Sequence, residues 1–301
     1  MMKTLFEKSI LFPISLYLRH SPRDTGKKFL INSSRELLNK TIKELTVCSK
    51  DNMKFLLHFP EDWGLERIYF YRNWETGTTN LLKKILKQDD VVFDIGANIG
   101  WYTILFTKLL TTGKCHSFEP VPWIYNKLKV NCLLNNIGNN VYLNQLAVGQ
   151  TKKNIEIYTF SGLPHGHSSI SALGRDDFNI SKTAMITLDE YINTKKIDKV
   201  DLIKCDVEGA ELEVLEGSKT LLSRKVPPMW LFEMNINTCK AFSYTPVDIL
   251  NFLMKFHDYE FYRIKGAWEQ VIPMNTIYDY EHGDNVLCIV PELHRSRLAS
   301  N

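Results

Sequence analysis

Apolar positions along the chain follow two patterns that alternate from Val91 onward. Short unbroken apolar runs suit buried strands, and apolar residues recurring every three or four positions suit helices. The order is strand 91–97, helix from about 100 to 110, strand 115–120, helix from about 122 to 136, and strand 141–149. Segments 154–160 and 184–192 bracket a polar loop. A strand at 200–206, a helix at 210–222 and a strand at 229–235 follow. A further helix starts behind Thr245 and Pro246, and strands at 259–264 and 285–290 close the pattern. Such alternation predicts a mostly parallel sheet with helices on both faces. The last two strands, joined only by a loop, predict an antiparallel strand at one edge.

Residues 1–50 predict one or two helices without evident chemistry. The runs "MKFLLHFP" (53–60) and "ERIYFYRNW" (66–74) read as two strands of a hairpin covering one edge of the main domain. "TGTTNLLKKILKQDD" places a capping threonine cluster before a helix with Leu81, Leu82, Ile85 and Leu86 on its apolar face. The expected division is a helical and hairpin extension over 1–75 and a main domain over 76–301. The apolar stretch Ile10–Leu18 contains Pro13 and is shorter than the roughly 20 residues a bilayer span needs. No small-residue cleavage site follows it, so neither a span nor a secretory leader is expected. Lys3, Lys8, Arg19 and Arg23 flank it, which leaves weak contact with a membrane surface open.

With 44% hydrophobic and 24% charged residues in 301, composition is that of an ordinary globular chain. A net charge of +3 is too small to imply a nucleic-acid partner, and none is expected. The charge is uneven, however: residues 1–60 hold eleven Lys/Arg against five Asp/Glu. Six cysteines show no C-x-x-C spacing, and Cys115, Cys205 and Cys288 fall in apolar runs. They read as reduced core residues of a cytoplasmic protein.

The candidate chemistry lies at strand ends, where doubly wound sheets bind ligands. "DIGANIG" supplies Asp94, Gly96, Ala97, Asn98 and Gly100. Dinucleotide-binding turns use G-x-G-x-x-G, whose middle glycine lets the backbone close on a pyrophosphate. Here that position is Asn98, and no G-K-[ST] follows to make a P-loop. A strand-terminal aspartate repels phosphate and welcomes an ammonium or sulfonium, which points to S-adenosylmethionine. Glu119, before Pro120 at the second strand's end, is 23 residues beyond Gly96, the spacing of a carboxylate that accepts ribose hydroxyls. Ala147 and Val148, ending the third strand, are candidates for the adenine surface. Asp206 and Glu208 end the fourth strand, and Glu233 stands among apolar residues of the next. These three carboxylates could orient an acceptor, hold a sulfonium or take a proton. His165 and His167, in a polar loop, are further candidates for the base. That pair with Asp206 is too sparse for a metal site, and no metal is assigned. Trp63, Tyr69, Tyr71, Trp74 and Trp268 could stack on a sugar, or could simply pack the hairpin.

Taken together, "VVFDIGANIGWYT", "FEP", "TLDEYI" and "DLIKCDVEGAELEVLEG" resemble the FkbM family of S-adenosylmethionine-dependent methyltransferases, over about residues 75–235. The resemblance implies a class I methyltransferase Rossmann-like fold, with seven mostly parallel strands and an antiparallel last strand. It implies O-methylation of a sugar, glycan or small natural product, with S-adenosylhomocysteine as the product. By position it implies Asp94, Gly96, Asn98 and Gly100 as the methionine-side loop, Glu119 as the ribose clamp, and Asp206 and Glu208 at the reaction centre. A dehydrogenase, a nucleic-acid methyltransferase and a catalytically silent binding module are the competing readings. Asn98 opposes the first, and the lack of an N-P-P-[YF] tetrapeptide opposes the second.

Overall fold

The computed structural model describes residues 2–20, 26–59, 61–62, 64–160, 168–169, 176–265 and 270–299. Helices α1 (Met2–His20) and α2 (Lys27–Thr41) precede strands β1 (Glu44–Cys48) and β2 (Lys54–His58), helix α3 (Glu66–Tyr71) and helix α4 (Thr76–Ile85). The alternating core then runs β3 (Val91–Ile95), α5 (Trp101–Leu109), β4 (Lys114–Phe118), α6 (Pro122–Leu134) and β5 (Val141–Asn144). Strands β6 (Ala147–Val148), β7 (Lys153–Phe160), β8 (Ser168–Ser169) and β9 (Phe178–Ile186) follow, then α7 (Leu188–Lys195) and β10 (Leu202–Cys205). Next are α8 (Glu211–Glu216), α9 (Lys219–Leu222), β11 (Met229–Met234), α10 (Ile236–Ala241) and α11 (Pro246–Met254). The chain ends with β12 (Glu260–Lys265), β13 (Gln270–Pro273), β14 (Asp284–Ile289) and α12 (Pro291–Ala299).

The expected parallel core is present. The main sheet has eight strands in the order β13-β12-β14-β11-β10-β3-β4-β5, one more than the seven expected. The extra strand is β13, an antiparallel neighbour of β12 at the edge. The antiparallel β14 is not at an edge; it lies between β11 and β12 and pairs with both. Strands β6, β7, β8 and β9 form a second sheet, in the order β6-β9-β7-β8. The third strand therefore ends at Asn144 rather than at 149, and Ala147 and Val148 leave the main sheet.

Period-two alternation sends the strand residues to two apolar layers. Val92, Cys115, Leu202 and Leu231 pack with α4, α5 and α6 on one face, and the same cluster takes in Leu11, Leu38 and Phe55 of the first sixty residues. Phe93, Phe118, Ile203 and Phe232 pack with α7, α8 and α11 on the other.

The extension departs from the pattern read above. The hairpin joins β1 to β2, with Glu44 opposite His58, and "ERIYFY" is helix α3. A six-residue segment with only four apolar positions, Ile68 to Tyr71, carries too little periodicity to separate helix from strand. Here tertiary contacts decide: the Arg19 side chain donates to the carbonyls of Phe70 (2.9 Å) and Tyr69 (2.9 Å), acceptors a helix end leaves free. Arg35 also pairs with the buried Glu66 at the other end of α3 (2.5 Å). The hairpin docks on α6 rather than on a sheet edge, with Leu56 N donating to Asn131 Oδ1 and Lys54 N to Asn135 Oδ1, both 2.8 Å. Helix α4 starts from Glu75 in a left-handed conformation without a side-chain cap, so the threonine cluster is not its cap. The helix read over 210–222 is two short ones, α8 and α9. Among the described residues, no helix is long and apolar enough to cross a membrane.

Candidate active site

Strands β4, β3, β10 and β11 are parallel neighbours, so their carboxyl ends, and the acidic residues there, share one end of the sheet. Asp94 is fully buried and stands opposite Ser117 of β4 and Lys204 of β10. Its Oδ2 accepts a hydrogen bond from Thr103 Oγ1 (2.6 Å), itself 2.8 Å from Ser117 Oγ, while its buried Oδ1 has no hydrogen-bond partner among the described residues. Burial raises the Asp94 carboxyl pKa, opposed by the Lys204 charge.

Lys204 escaped the sequence reading, although a lysine between Ile203 and Cys205 in an apolar run is a signal: such a group is rarely buried unless paired. It is 3% exposed, donates to Asp206 Oδ2 (2.9 Å), and sits 4.8 Å from the Tyr102 ring centroid. Burial alone would lower its pKa, but Asp206, Asp94 and Glu75 outweigh it and the net shift is upward. It is a permanent ammonium beneath the acidic cluster. Glu75, also missed, accepts from Tyr102 Oη (2.5 Å) and Asn285 Nδ2 (3.1 Å). Burial raises the Glu75 carboxyl, and burial with the nearby Glu75 raises the Tyr102 phenol. No spacing links residues 75, 102, 204 and 285; only the folded sheet brings them together.

The glycine turn is built as one unit. Gly96 N and Ala97 N both donate to the Phe118 carbonyl (3.0 and 2.9 Å). Gly96 has φ +80°, and a Cβ there would lie 1.8 Å from the Asp206 carbonyl oxygen. Its need for glycine therefore comes from the approach of the loop after β10. Asn98, also left-handed at φ +50°, donates its amide to Glu119 Oε2 (2.9 Å), and Gly100 then opens α5. Glu119 is buried, and its Oε1 accepts from Val121 N (3.0 Å). Burial pushes its pKa up to about 7, opposed by those two amides. Pro120 follows it, half-buried. Asp94, Gly96, Ala97, Asn98, Gly100 and Glu119 thus fall in one contiguous place. Ala147 and Val148, in contrast, are buried in the second sheet, paired with Met185 and Ile186.

At the β10 and β11 ends, one oxygen from each of Asp206, Glu208 and Glu233 lies within 4.8 Å of the others. The loop carrying the first two is braced from below. Buried Glu211 accepts from Val207 N (3.1 Å) and Gly209 N (3.3 Å), and Tyr244 Oη lies 2.8 Å from the Gly209 carbonyl. Glu208 is held left-handed at φ +53°. Glu233 faces Asn285 across the ladder. Burial, then Asp206, Glu208 and Glu75, push its pKa up to about 9 against the opposing Lys204. That shift favours the protonated carboxylic acid and makes its conjugate base a strong one for a carboxylate. The cluster can hold a cation, orient a hydroxyl and accept its proton. The trio's oxygens are also close enough to share a divalent ion.

His165, His167, Trp63 and Trp268 lie outside the described residues. Tyr69 and Tyr71 are on α3, not on a strand, and with Trp74 they pack partly buried against the apolar cluster of the extension.

Residues 94–261, more than half of the chain, match the family model described as the methyltransferase FkbM domain. The chain is 26% identical to Methyltransferase sdnD of Sordaria araneosa, over 44% of this chain and 61% of that protein. It is 28% identical to Hexuronic acid methyltransferase AglP of Haloferax volcanii, over 49% of this chain and 58% of that protein. The chain thus spans about three-fifths of the length of the curated relatives it matches. Among solved structures, the methyltransferase FkbM of Methylobacillus flagellatus KT is similar at 14% identity and a TM-score of 0.45, covering 68% of this chain and 44% of that one. On that family match, which covers more than half of it, the chain belongs to the FkbM methyltransferase family.

Proposed function

We propose that the chain is an S-adenosylmethionine-dependent O-methyltransferase acting on a hydroxyl of a sugar, glycan or small natural product. The observation that carries this reading is the row of carboxylates at one end of adjacent strands: Asp94, Glu119, Asp206, Glu208 and Glu233. The ionised members of that row would repel a phosphate-bearing dinucleotide and attract a phosphate-free cationic adenosine derivative, while Glu233, whose pKa is pushed up, adds little charge. The fit is supported by Asp94 Oδ1, a buried acceptor with no hydrogen-bond partner among the described residues, and by Glu119 at the ribose-clamp position. The sugar acceptor is suggested by the likeness to a protein named for hexuronic acid. The catalytic unit of this reading is residues 76–301, with 1–75 as an extension. Six free cysteines, five of them buried, suit a reducing compartment and thus the cytoplasm.

When bound, the cofactor supplies an electrophilic methyl group on a sulfonium. The chain would do the rest by alignment and proton handling. Asp94 and the turn through Gly96, Ala97, Asn98 and Gly100 would hold the methionine side, and Glu119 the ribose. Lys204, paired to Asp206, fixes that carboxylate so that Asp206 and Glu208 can orient the acceptor hydroxyl. Glu233 is the carboxylate best matched in basicity to that hydroxyl and would accept its proton. Alignment of this kind can lower a barrier by several kcal/mol.

Calorimetry with S-adenosylhomocysteine and with NAD tests the cofactor, and transfer of a labelled methyl to sugar acceptors tests the reaction. Binding of NAD without S-adenosylhomocysteine would end the reading. Turnover that is lost in EDTA and restored by magnesium would reassign the Asp206–Glu208–Glu233 trio from proton handling to metal binding.

A further inference from the structure

We propose that the outer face of α1 docks on an anionic lipid surface. Its inner face carries Leu11, Ser15 and Leu18, all buried, and enters the core. The outer positions are also apolar: Phe12 is 55% exposed, Leu16, one turn on, 39%, and Tyr17 beside it 44%. The helix cannot rotate to hide these groups, because Arg19 is bonded to the carbonyls of Tyr69 and Phe70 on α3. The second half of α1, residues 10–18, has only Ser15 as a polar residue, and that one is buried, so its exposed side is an apolar surface that in an aqueous protein implies something to cover it.

Charge identifies the cover. Residues 1–28 contain Lys3, Lys8, Arg19, Arg23, Lys27 and Lys28 against Glu7 and Asp24, a net charge of +4. The whole chain carries +3, so the other residues together carry −1. The positive charge is concentrated on the segment with the exposed aromatic and aliphatic groups. Apolar side chains flanked by lysine and arginine are the composition of helices that lie in the plane of an anionic bilayer. A second copy of the chain would bring a second positive segment against the first, which opposes self-association through this face.

The test is co-sedimentation of the full chain with vesicles of phosphatidylcholine alone and of phosphatidylcholine and phosphatidylglycerol in equal parts. Binding is expected to be at least roughly tenfold stronger to the anionic vesicles, and to weaken as salt is raised. Phe12→Ser combined with Leu16→Ser should lower that binding roughly tenfold, with an unchanged thermal melt, since both side chains are exposed. Lys3→Gln with Lys8→Gln should lower it without touching the apolar groups. Three results would overturn the proposal: no vesicle binding by the wild type, binding indifferent to all four substitutions, or a wild-type dimer in sedimentation velocity that the two serines dissociate. None of these readouts depends on methyl transfer, so this proposal and the proposed function can fail separately.

Discussion

Glu119 shows how far one residue's chemistry can be argued from its surroundings. With its carboxyl near pH 7 in the free protein, it is a poor ribose acceptor in acid and a good one in base. Affinity for S-adenosylhomocysteine should therefore be full above about pH 7 and fall below it, by up to about tenfold per pH unit. Glu119→Gln should weaken binding about 10- to 100-fold at pH 8 and flatten that profile, both readable by calorimetry. Glu233 makes the complementary prediction. Held protonated up to about pH 9, it must ionise before it can take a proton, so kcat/KM should climb with pH across that range. Glu233→Gln should lower kcat about 100-fold or more and leave S-adenosylhomocysteine affinity within a fewfold of wild type. An unchanged rate profile would remove Glu233 from the reaction. Lys204→Met should cost about 3 kcal/mol in urea denaturation, since it leaves Asp206, Asp94 and Glu75 without the cation they face.

At the scale of elements, the site depends on two loops meeting. The turn after β3 and the loop after β10 touch where Gly96 meets the Asp206 carbonyl, so a methyl group at residue 96 must push them apart. Gly96→Ala should cost about 1–3 kcal/mol of stability and at least about tenfold in cofactor affinity, measured by denaturation and calorimetry on the same sample. The parallel core was legible because Val91–Ile95, Lys114–Phe118, Leu202–Cys205 and Met229–Met234 are short runs buried on both faces and separated by helical periods. The elements misread were those without a period of their own. "ERIYFY" is too short to declare itself, and "VYLNQLAVG" reads as one strand although its polar pair Asn144-Gln145 marks the place where it splits between two sheets.

Over the whole molecule, buried titratable groups pull stability in opposite directions with pH. Glu119 and Glu211 near 7 and Glu233 near 9 are raised by burial, so their contribution is complete below the ordinary carboxylate range and is lost as pH rises through those values. His116 and His294 are lowered to about 4 by burial, so theirs is present above about 6.5 and lost as pH falls toward 4. Between about pH 4.5 and 6.5 three carboxyls lose more than two imidazoles gain, so thermal melts of the free protein should be highest near about pH 5 and decline as pH rises toward 9; a plateau through pH 9 would contradict the buried carboxyls. What the sequence determined by itself was the alternation of strands and helices, the glycine turn and the carboxylates at strand ends, because each is written in neighbouring residues. What only the tertiary structure decided was the company those groups keep. Lys204 stands beside Asp94, Glu75 meets Tyr102 and Asn285, and the Gly96 backbone meets that of Asp206, because sheet order and loop approach bring distant segments into contact. Local sequence carries no record of such distances.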